Sequence, residues 1–477
     1  MPKLHHRLSS MDATFLYLEK KECPLHIGST SVFDGPLDVE AVKKHVSDRL
    51  HLIPRYKQKV VPDPFAISHP TWEFDENFDV DNHIFEVETS GKIGLDTLAE
   101  IAGEKMTYVM DRGKPLWELF IVNGLEGGGS GMIAKVHHCM VDGISGVDLI
   151  KILFDIKPES DPPPPPTETD KEKPPKLDPT RKLFDSILGS MEEGMNRFLE
   201  LQAGMMYLAA NLANPKIAEK LPQMADVLPS VAAPVAILPF NKECNGERRL
   251  AWSEYSFKDA RKIKNVLEGT VNDVVLTLIS ESVARYSRLH GTETVDRKVR
   301  FMMPVSLRQK EQRGSLGNLI SIIPVEIPLE FDDLATRFEY VNEKTAMMKE
   351  TRLAESILTV GAAYSLLPAP MQSVIGTLAD TPVPPFNLVA TNVPGPQIPL
   401  YLTGREMLAH YPYVPIGYGL GLGVAIFSYN KELYFGLSSD KGAMDDVEKF
   451  KEVMDCVFEE LLALADEMAP KSDSAKA

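Results

Sequence analysis

Residues 158–180 constrain this chain more than any other segment. They contain PESDPPPPPTETDKEKPPKLDP, a run rich in proline and charge with no apolar period. Such a run has no face to bury, so it predicts an extended, solvated linker. It leaves an N-terminal unit of 1–157 and a longer remainder. At 477 residues the chain exceeds what one core usually holds, so two folded units are expected.

Beyond the linker, 181–214 carries Phe184, Leu188, Met191, Met195, Phe198, Met205, Leu208 and Leu212 at the spacing of an amphipathic helix. The stretch 181–245 is accordingly expected as a helical connection, packed on the body of the protein. A second folded unit is expected over 246–468, followed by a disordered tail at 469–477. Within that unit LAWSEYSF alternates as a strand does, and Lys258 to Leu267 has a helical pattern. VRFMMPVSLR (299–308), LISIIPVEIPL (319–329) and FNLVATNVPG (386–395) predict strands, as does a glycine-broken pair at 417–437. Helices are predicted over about 333–377 and 444–468.

The composition, 44% hydrophobic and 25% charged, is that of a folded globular protein, and the net charge of −17 argues against nucleic acid as a partner. It also argues against docking on anionic membranes by charge alone. Cys23, Cys139, Cys244 and Cys456 lie far apart with no metal-ligand spacing and are read as reduced thiols of a cytosolic protein. The first residues lack the apolar core of a signal peptide. Prolines interrupt the two most apolar segments, 222–241 and 356–379, which disfavours a spanning helix. Between Ser356 and Asn430 the only charges are Asp380, Arg405 and Glu406. That stretch is expected to be core and, in a sharper reading, also the lining of a lipid tunnel.

The run GMIAKVHHCMVDGISG (131–146) carries the chemistry. It reads as a strand, then a turn at DGISG, then a helix. On a strand His138 would share a face with Val136, Ala134 and Met132, and His137 the other face with Lys135 and Ile133. One histidine should therefore look into a site and the other into the body of the protein. Adjacent strand histidines do not converge on one ion, so no metal is expected. A neutral imidazole suits removal of a hydroxyl proton near pH 7, and a junction of strand, turn and helix suits a site. Asp142 follows on a turn that Gly143 permits.

HHCMVDG resembles the HHxxxDG signature of coenzyme A-dependent acyltransferases. More narrowly, the chain resembles the bacterial wax ester synthase/diacylglycerol acyltransferases. LSSMDATFLYLEKKECPLHIG (8–28), the Pro-Leu-Trp of DRGKPLWELFIVNGL (111–125), TVNDVVL (270–276), MPVSLR (303–308) and ATNVPGP (390–396) are similar to that family's other motifs and occur in its order.

The resemblance implies an α/β (α+β) fold of two chloramphenicol-acetyltransferase-like domains joined by a crossover, with a substrate tunnel between them. It implies His138 as general base, His137 as supporting and Asp142 as structural, held by an arginine for which Arg308 is the candidate. Asn272 is a candidate for steadying the thioester oxygen or orienting His138. Pro115, Leu116, Trp117, Asp273, Asn392, Pro394 and Gly395 are candidate substrate-binding residues. Each has a plainer reading. Pro115-Leu116-Trp117 can start a strand and bury an indole, Asn272-Asp273 can cap a helix, and Asn392 to Pro396 can be a fixed turn.

The expected reaction moves a long-chain acyl group from acyl-CoA to diacylglycerol, a long-chain alcohol, or both. It runs through a ternary complex with no bound cofactor, acyl-CoA being a co-substrate. The protein is expected in the cytoplasm, at the inner membrane face or lipid inclusions if it touches lipid surfaces. The rivals are a related enzyme with another alcohol or amine acceptor, a non-catalytic lipid-binding protein, and a metal-dependent hydrolase using His137, His138 and Asp142.

Overall fold

The computed structural model describes residues 7–64, 68–140, 150, 152–164, 235–306, 320–331, 333–350 and 385–469. The predicted helix at 181–214, most of the linker, the apolar segment 356–379, and Asp142, Gly143 and Arg308 lie outside them.

The first unit begins with α1 (Ser10–Leu18), whose Ser9 side chain accepts from the Asp12 N–H as an N-cap. Next come β1 (His26–Phe33), α2 (Val39–Arg49), β2 (Gln58–Val61), β3 (Thr71–Phe74), β4 (Ile84–Val87), α3 (Leu95–Thr107), β5 (Trp117–Asn123) and β6 (Ser130–His137). The second contributes β7 (Arg248–Ser256), α4 (Phe257–Val266), α5 (Val271–Leu289), β8 (Lys298–Ser306), β9 (Ile320–Pro328), α6 (Leu334–Glu350) and β10 (Leu388–Pro394). It continues with β11 (Tyr401–Leu402), β12 (Arg405–Tyr413), β13 (Leu422–Tyr429), β14 (Glu432–Asp440) and α7 (Val447–Met468). The strands read from LAWSEYSF, VRFMMPVSLR and LISIIPVEIPL fall where the alternation put them. Of the predicted 333–377 helix, α6 is the described part.

The architecture is mixed α/β with two six-stranded sheets. One has the order β11-β12-β1-β6-β5-β4, the other β7-β14-β13-β10-β8-β9, and β2–β3 form a small separate pair. The sequence predicts no strand between the Asn392 loop and residue 417, yet β12 lies there and pairs antiparallel with β1, from Gly28 opposite Tyr413 to Phe33 opposite Met407. The segment grouped with the second unit therefore completes the sheet of the first. Leu408 is half exposed and Pro412 cannot donate to a ladder, so the alternation of β12 is weak as a local signal.

This strand joins the two sheets. Trp252 of β7 stacks on Tyr411 with ring centroids 4.5 Å apart. The hydroxyls of Tyr434 and Tyr429 donate to the carbonyls of Leu408 and Met407 at 2.8 and 2.9 Å. Arg248, fully buried, donates to Asp440 at 2.5 Å, to the Ile416 carbonyl at 2.8 Å and to the Tyr413 hydroxyl at 3.3 Å. The charge-poor stretch contributes β10 and β13, whose side chains pack into the core of the second unit, as the plainer reading of that segment has it.

Gly436 on β14 faces the Pro412 carbonyl so closely that a Cβ would lie 1.7 Å from that oxygen. Gly436→Ala must push β14 and β12 apart. It should destabilise the protein by about 1–3 kcal/mol, as overpacking of a core does. A thermal melt indistinguishable from the wild type would show that this contact does not govern the junction of the sheets.

Candidate active site

β6 ends at His137, and residues 138–140 form a turn closed by the Met140 N–H on the His137 carbonyl at 2.9 Å. The strand alternation therefore stops one residue before His138. The direction of that side chain is set by the turn and by α1. Its ring lies flat on Phe15 of α1, with centroids 3.9 Å apart and planes 11° from parallel. Its backbone N–H donates to the Leu25 carbonyl at 2.9 Å. As a residue His138 is only partly buried, with its Nδ1 enclosed, whereas His137 has no exposed surface.

His137 is the histidine of the pair that points into the body of the protein. The Cys139 N–H donates to its Nδ1 at 3.1 Å, so in the neutral ring the proton sits on Nε2. That nitrogen faces Glu19 Oε1 at 3.2 Å, a close electrostatic contact without the alignment of a good hydrogen bond. The His137 N–H also donates to the Leu116 carbonyl at 2.9 Å, which ties the Pro-Leu-Trp segment to the histidine pair.

Glu19, absent from the sequence expectations, proves central. Its side chain is 1% exposed. Oε1 accepts from the Leu25 N–H at 3.2 Å, and Oε2 accepts from Arg112 at 3.0 Å. Burial alone would raise the carboxyl, but His137, His26 and Arg112 outweigh it and hold the group down to about 2. His26 lies directly opposite His137 across β1 and β6 and donates from Nε2 to the Tyr108 carbonyl at 2.9 Å. Burial, followed by the charge of Lys135, pushes the His26 imidazole well below its ordinary range, so it stays neutral. The one sequence signal for Glu19 was its place inside the 8–28 motif.

Lys135 shares the His137 face of β6 and has no exposed surface. Its Nζ donates to the Tyr108 carbonyl at 2.8 Å and lies 3.9 Å from Glu118 Oε2. Burial lowers this amine to about 7 against the pull of Glu118.

The Pro-Leu-Trp segment is taken up by packing. Leu116 and Trp117 are buried, the indole Nε1–H donates to the Tyr56 carbonyl at 2.8 Å, and His83 stacks on the indole at 4.4 Å. Of the Asn-Asp pair, Asp273 takes part in the helix cap, and Asn272 does not. Thr270 is the N-cap of α5, and Asp273 closes the capping box by accepting from the Thr270 N–H and hydroxyl, each at 2.7 Å. Thr345 donates to its other oxygen at 2.6 Å, so this buried carboxylate is occupied internally.

Asn272 is exposed, and its Oδ1 accepts from Asn392 Nδ2 at 2.6 Å. The structure thus brings together two motifs 120 residues apart in sequence. Asn392 and Pro394 lie in β10, paired in parallel with β13, rather than in the turn expected from two prolines around a glycine. Pro394 is tolerated as the last residue of the strand. Gly395 follows, where a Cβ would lie 2.2 Å from the Phe427 ring.

Among the described residues there is no group of three metal-ligating side chains, and no helix is long and apolar enough to cross a membrane. No two of the four cysteines are bonded. Cys139, beside His138, is buried with Leu8, Leu16, Trp72 and Leu116, and burial pushes its thiol well above the ordinary range. It is a poor nucleophile.

Comparison with known proteins matches the model of the wax ester synthase/diacylglycerol acyltransferase catalytic domain over residues 8–275 and that of the family's C-terminal domain over 316–462. A Mycobacterium tuberculosis protein named as a probable diacylglycerol O-acyltransferase is 27% identical over 475 residues, covering 96% of each chain. A second such protein from the same organism is 28% identical over 441 residues, 89% of this chain and 92% of its own. The wax ester synthase/diacylglycerol acyltransferase of Marinobacter aquaeolei VT8 has the same fold, with a TM-score of 0.65, 21% identity and coverage of 96% of this chain and 100% of that one. So does the first condensation domain of the calcium-dependent antibiotic synthetase, with a TM-score of 0.56, 14% identity and 98% of each chain covered.

Lys135 offers a test of the buried network. Free lysine titrates near 10.5 and Lys135 near about 7, so between these values the unfolded chain binds more protons and stability rises with pH. Relative to Lys135→Met, the wild type should therefore gain stability from pH 7 to 9.5, by at most ~1.4 kcal/mol per pH unit. Urea unfolding midpoints of the two proteins that run parallel over this range would mean the amine is charged when buried.

Proposed function

The chain belongs to the wax ester synthase/diacylglycerol acyltransferase family, and from that premise we propose that it transfers a long-chain acyl group from acyl-CoA to the free hydroxyl of diacylglycerol. His138 is the general base. It takes the hydroxyl proton as the oxygen attacks the thioester carbon. The tetrahedral intermediate then collapses, the carbon–sulfur bond breaks, and the proton held by His138 passes to the departing thiolate to give free coenzyme A. The ester oxygen comes from the acceptor, and no covalent acyl-enzyme is formed.

The observation that carries this reading is the contrast between the two histidines. The ring of His137 is enclosed and engaged at both nitrogens, by the Cys139 N–H and by Glu19. The ring of His138 is held by stacking on Phe15 and keeps some surface exposed. A base needs a fixed plane and access to its proton, and of the two only His138 has both. The raised thiol of Cys139 speaks against an acyl-cysteine route through its neighbour.

Asp142 keeps the structural role that the resemblance implies, with Arg308 as its candidate partner. The Asn272–Asn392 pair is the candidate for steadying the thioester oxygen, because an amide N–H can donate to a developing oxyanion. Asp273 takes a capping role, and Pro115, Leu116 and Trp117 a supporting one. The acyl chain and acceptor meet in a tunnel between the two sheets, and the enzyme works in the cytosol where it can reach diacylglycerol at a lipid surface. Diacylglycerol is preferred over a long-chain alcohol as acceptor because the curated relatives carry that activity in their names.

The test is release of free coenzyme A from palmitoyl-CoA with a diacylglycerol, with hexadecanol and without acceptor. Release should depend on acceptor, be faster with diacylglycerol, and fall in His138→Ala by about 10²–10⁴, the usual worth of a general base. A His138→Ala protein retaining more than about a tenth of wild-type turnover would remove His138 from that role. Faster turnover with hexadecanol would make the protein a wax ester synthase first.

A further inference from the structure

We infer that Glu19 is a positioning residue of this active site, acting on His138 through His137 and the Leu25 backbone. The inference rests on the assignment of His138 as base.

The carboxylate sits where α1 ends, and three links run from it to the catalytic turn. Its Oε1 faces His137 Nε2 at 3.2 Å and so favours the tautomer that leaves Nδ1 to accept from Cys139, the residue after His138. The same Oε1 accepts from the Leu25 N–H, whose own carbonyl accepts from the His138 N–H. Finally, the Glu19 N–H donates to the Phe15 carbonyl at 3.1 Å, and the Phe15 ring carries the imidazole of His138. One side chain with its own backbone thus fixes the residue before the base, the residue after it, and the ring beneath it.

A second shell fixes Glu19 in turn. Arg112 donates to its Oε2 and also to the Leu16 carbonyl at 2.9 Å, closing the C-terminus of α1. The turn that follows α1 is clasped by the second unit. The Tyr418 hydroxyl donates to the Leu18 carbonyl, and Lys20 lies 4.7 Å from the centre of the Tyr418 ring. The position of the base is therefore coupled to the loop between β12 and β13.

The titratable and charged groups that face this carboxylate are His137 and Lys135 on β6, His26 on β1, Arg112 ahead of β5, and the thiols of Cys23 and Cys139. Glu19 itself and Arg112 are fixed charges of opposite sign that can be removed separately. An anion near an imidazole raises its pKa and a cation lowers it. Glu19→Gln should therefore move the acid limb of kcat/KM downward by roughly half a pH unit, and Arg112→Ala should move it upward by a similar amount. A glutamine cannot serve all its neighbours: with its oxygen toward His137 and Leu25, its amide nitrogen meets Arg112, a donor facing a donor. The displaced base should cost kcat roughly 10-fold to 100-fold, with KM for palmitoyl-CoA changed by less than about threefold.

The experiment measures kcat, KM and the pH profile with palmitoyl-CoA and a diacylglycerol for the wild type, Glu19→Gln, Arg112→Ala and His138→Ala, each with a thermal melt. Opposite displacements of the acid limb in the first two variants, with a kcat loss in Glu19→Gln, support the inference. Wild-type kcat and an unmoved limb in a folded Glu19→Gln protein overturn it while leaving His138 as base. If Glu19→Gln does not fold, Arg112→Ala decides alone: an upward displacement supports the inference and an unmoved limb overturns it. A fully active His138→Ala protein would instead remove the base assignment on which the inference stands.

Discussion

The crossing of β12 into the first sheet is the constraint on which the rest depends. A strand from beyond residue 400 pairs along the length of β1, and its two faces cannot both be satisfied within one unit. Tyr411 meets Trp252, the Leu408 carbonyl meets Tyr434, and Pro412 backs onto Gly436. The two sheets are thereby one body. The loop that leaves β12 carries Tyr418 to the end of α1, behind the histidine turn. Geometry at the site is thus inherited from a pairing more than 370 residues apart in sequence.

Charge placement completes what the strand begins. Two carboxylates are enclosed beside β6: Glu19, paired with the partly exposed Arg112, and Glu118, which lies 3.9 Å from the buried Lys135 amine. A buried carboxylate survives only when its lone pairs are occupied. Glu19 meets that condition by taking partners from the segment entering β1, from β6 and from the turn before β5, so its ionisation and the local fold support each other. In that enclosure burial holds His26 neutral and keeps the thiols of Cys139 and Cys23 protonated.

Much of this was legible in the sequence. The sequence placed β7, β8, β9 and the strand entering the histidine pair, β7 from the alternation of LAWSEYSF, whose apolar positions are mostly buried. The same rule set the two histidines on opposite faces without saying which one turns inward. The rule stopped at His138, where the strand gives way to a turn and stacking on Phe15 takes over. β12 escaped because its partner is distant and Pro412 blurs its period. Glu19 escaped because, within LEKKEC, a glutamate among lysines reads as solvated. Only the fold reveals that two histidines and an arginine surround it. The cap of α5 was legible in part: Asp273 closes a capping box, but the N-cap itself is Thr270, two residues before Asn272.

The central claim is direct transfer between two bound substrates with one histidine as base. It is tested most directly by mixing the enzyme with palmitoyl-CoA alone and following both coenzyme A release and intact protein mass. The account predicts no burst of coenzyme A and an unchanged mass until an acceptor alcohol is added. A stoichiometric burst accompanied by a palmitoyl adduct on the protein would contradict it.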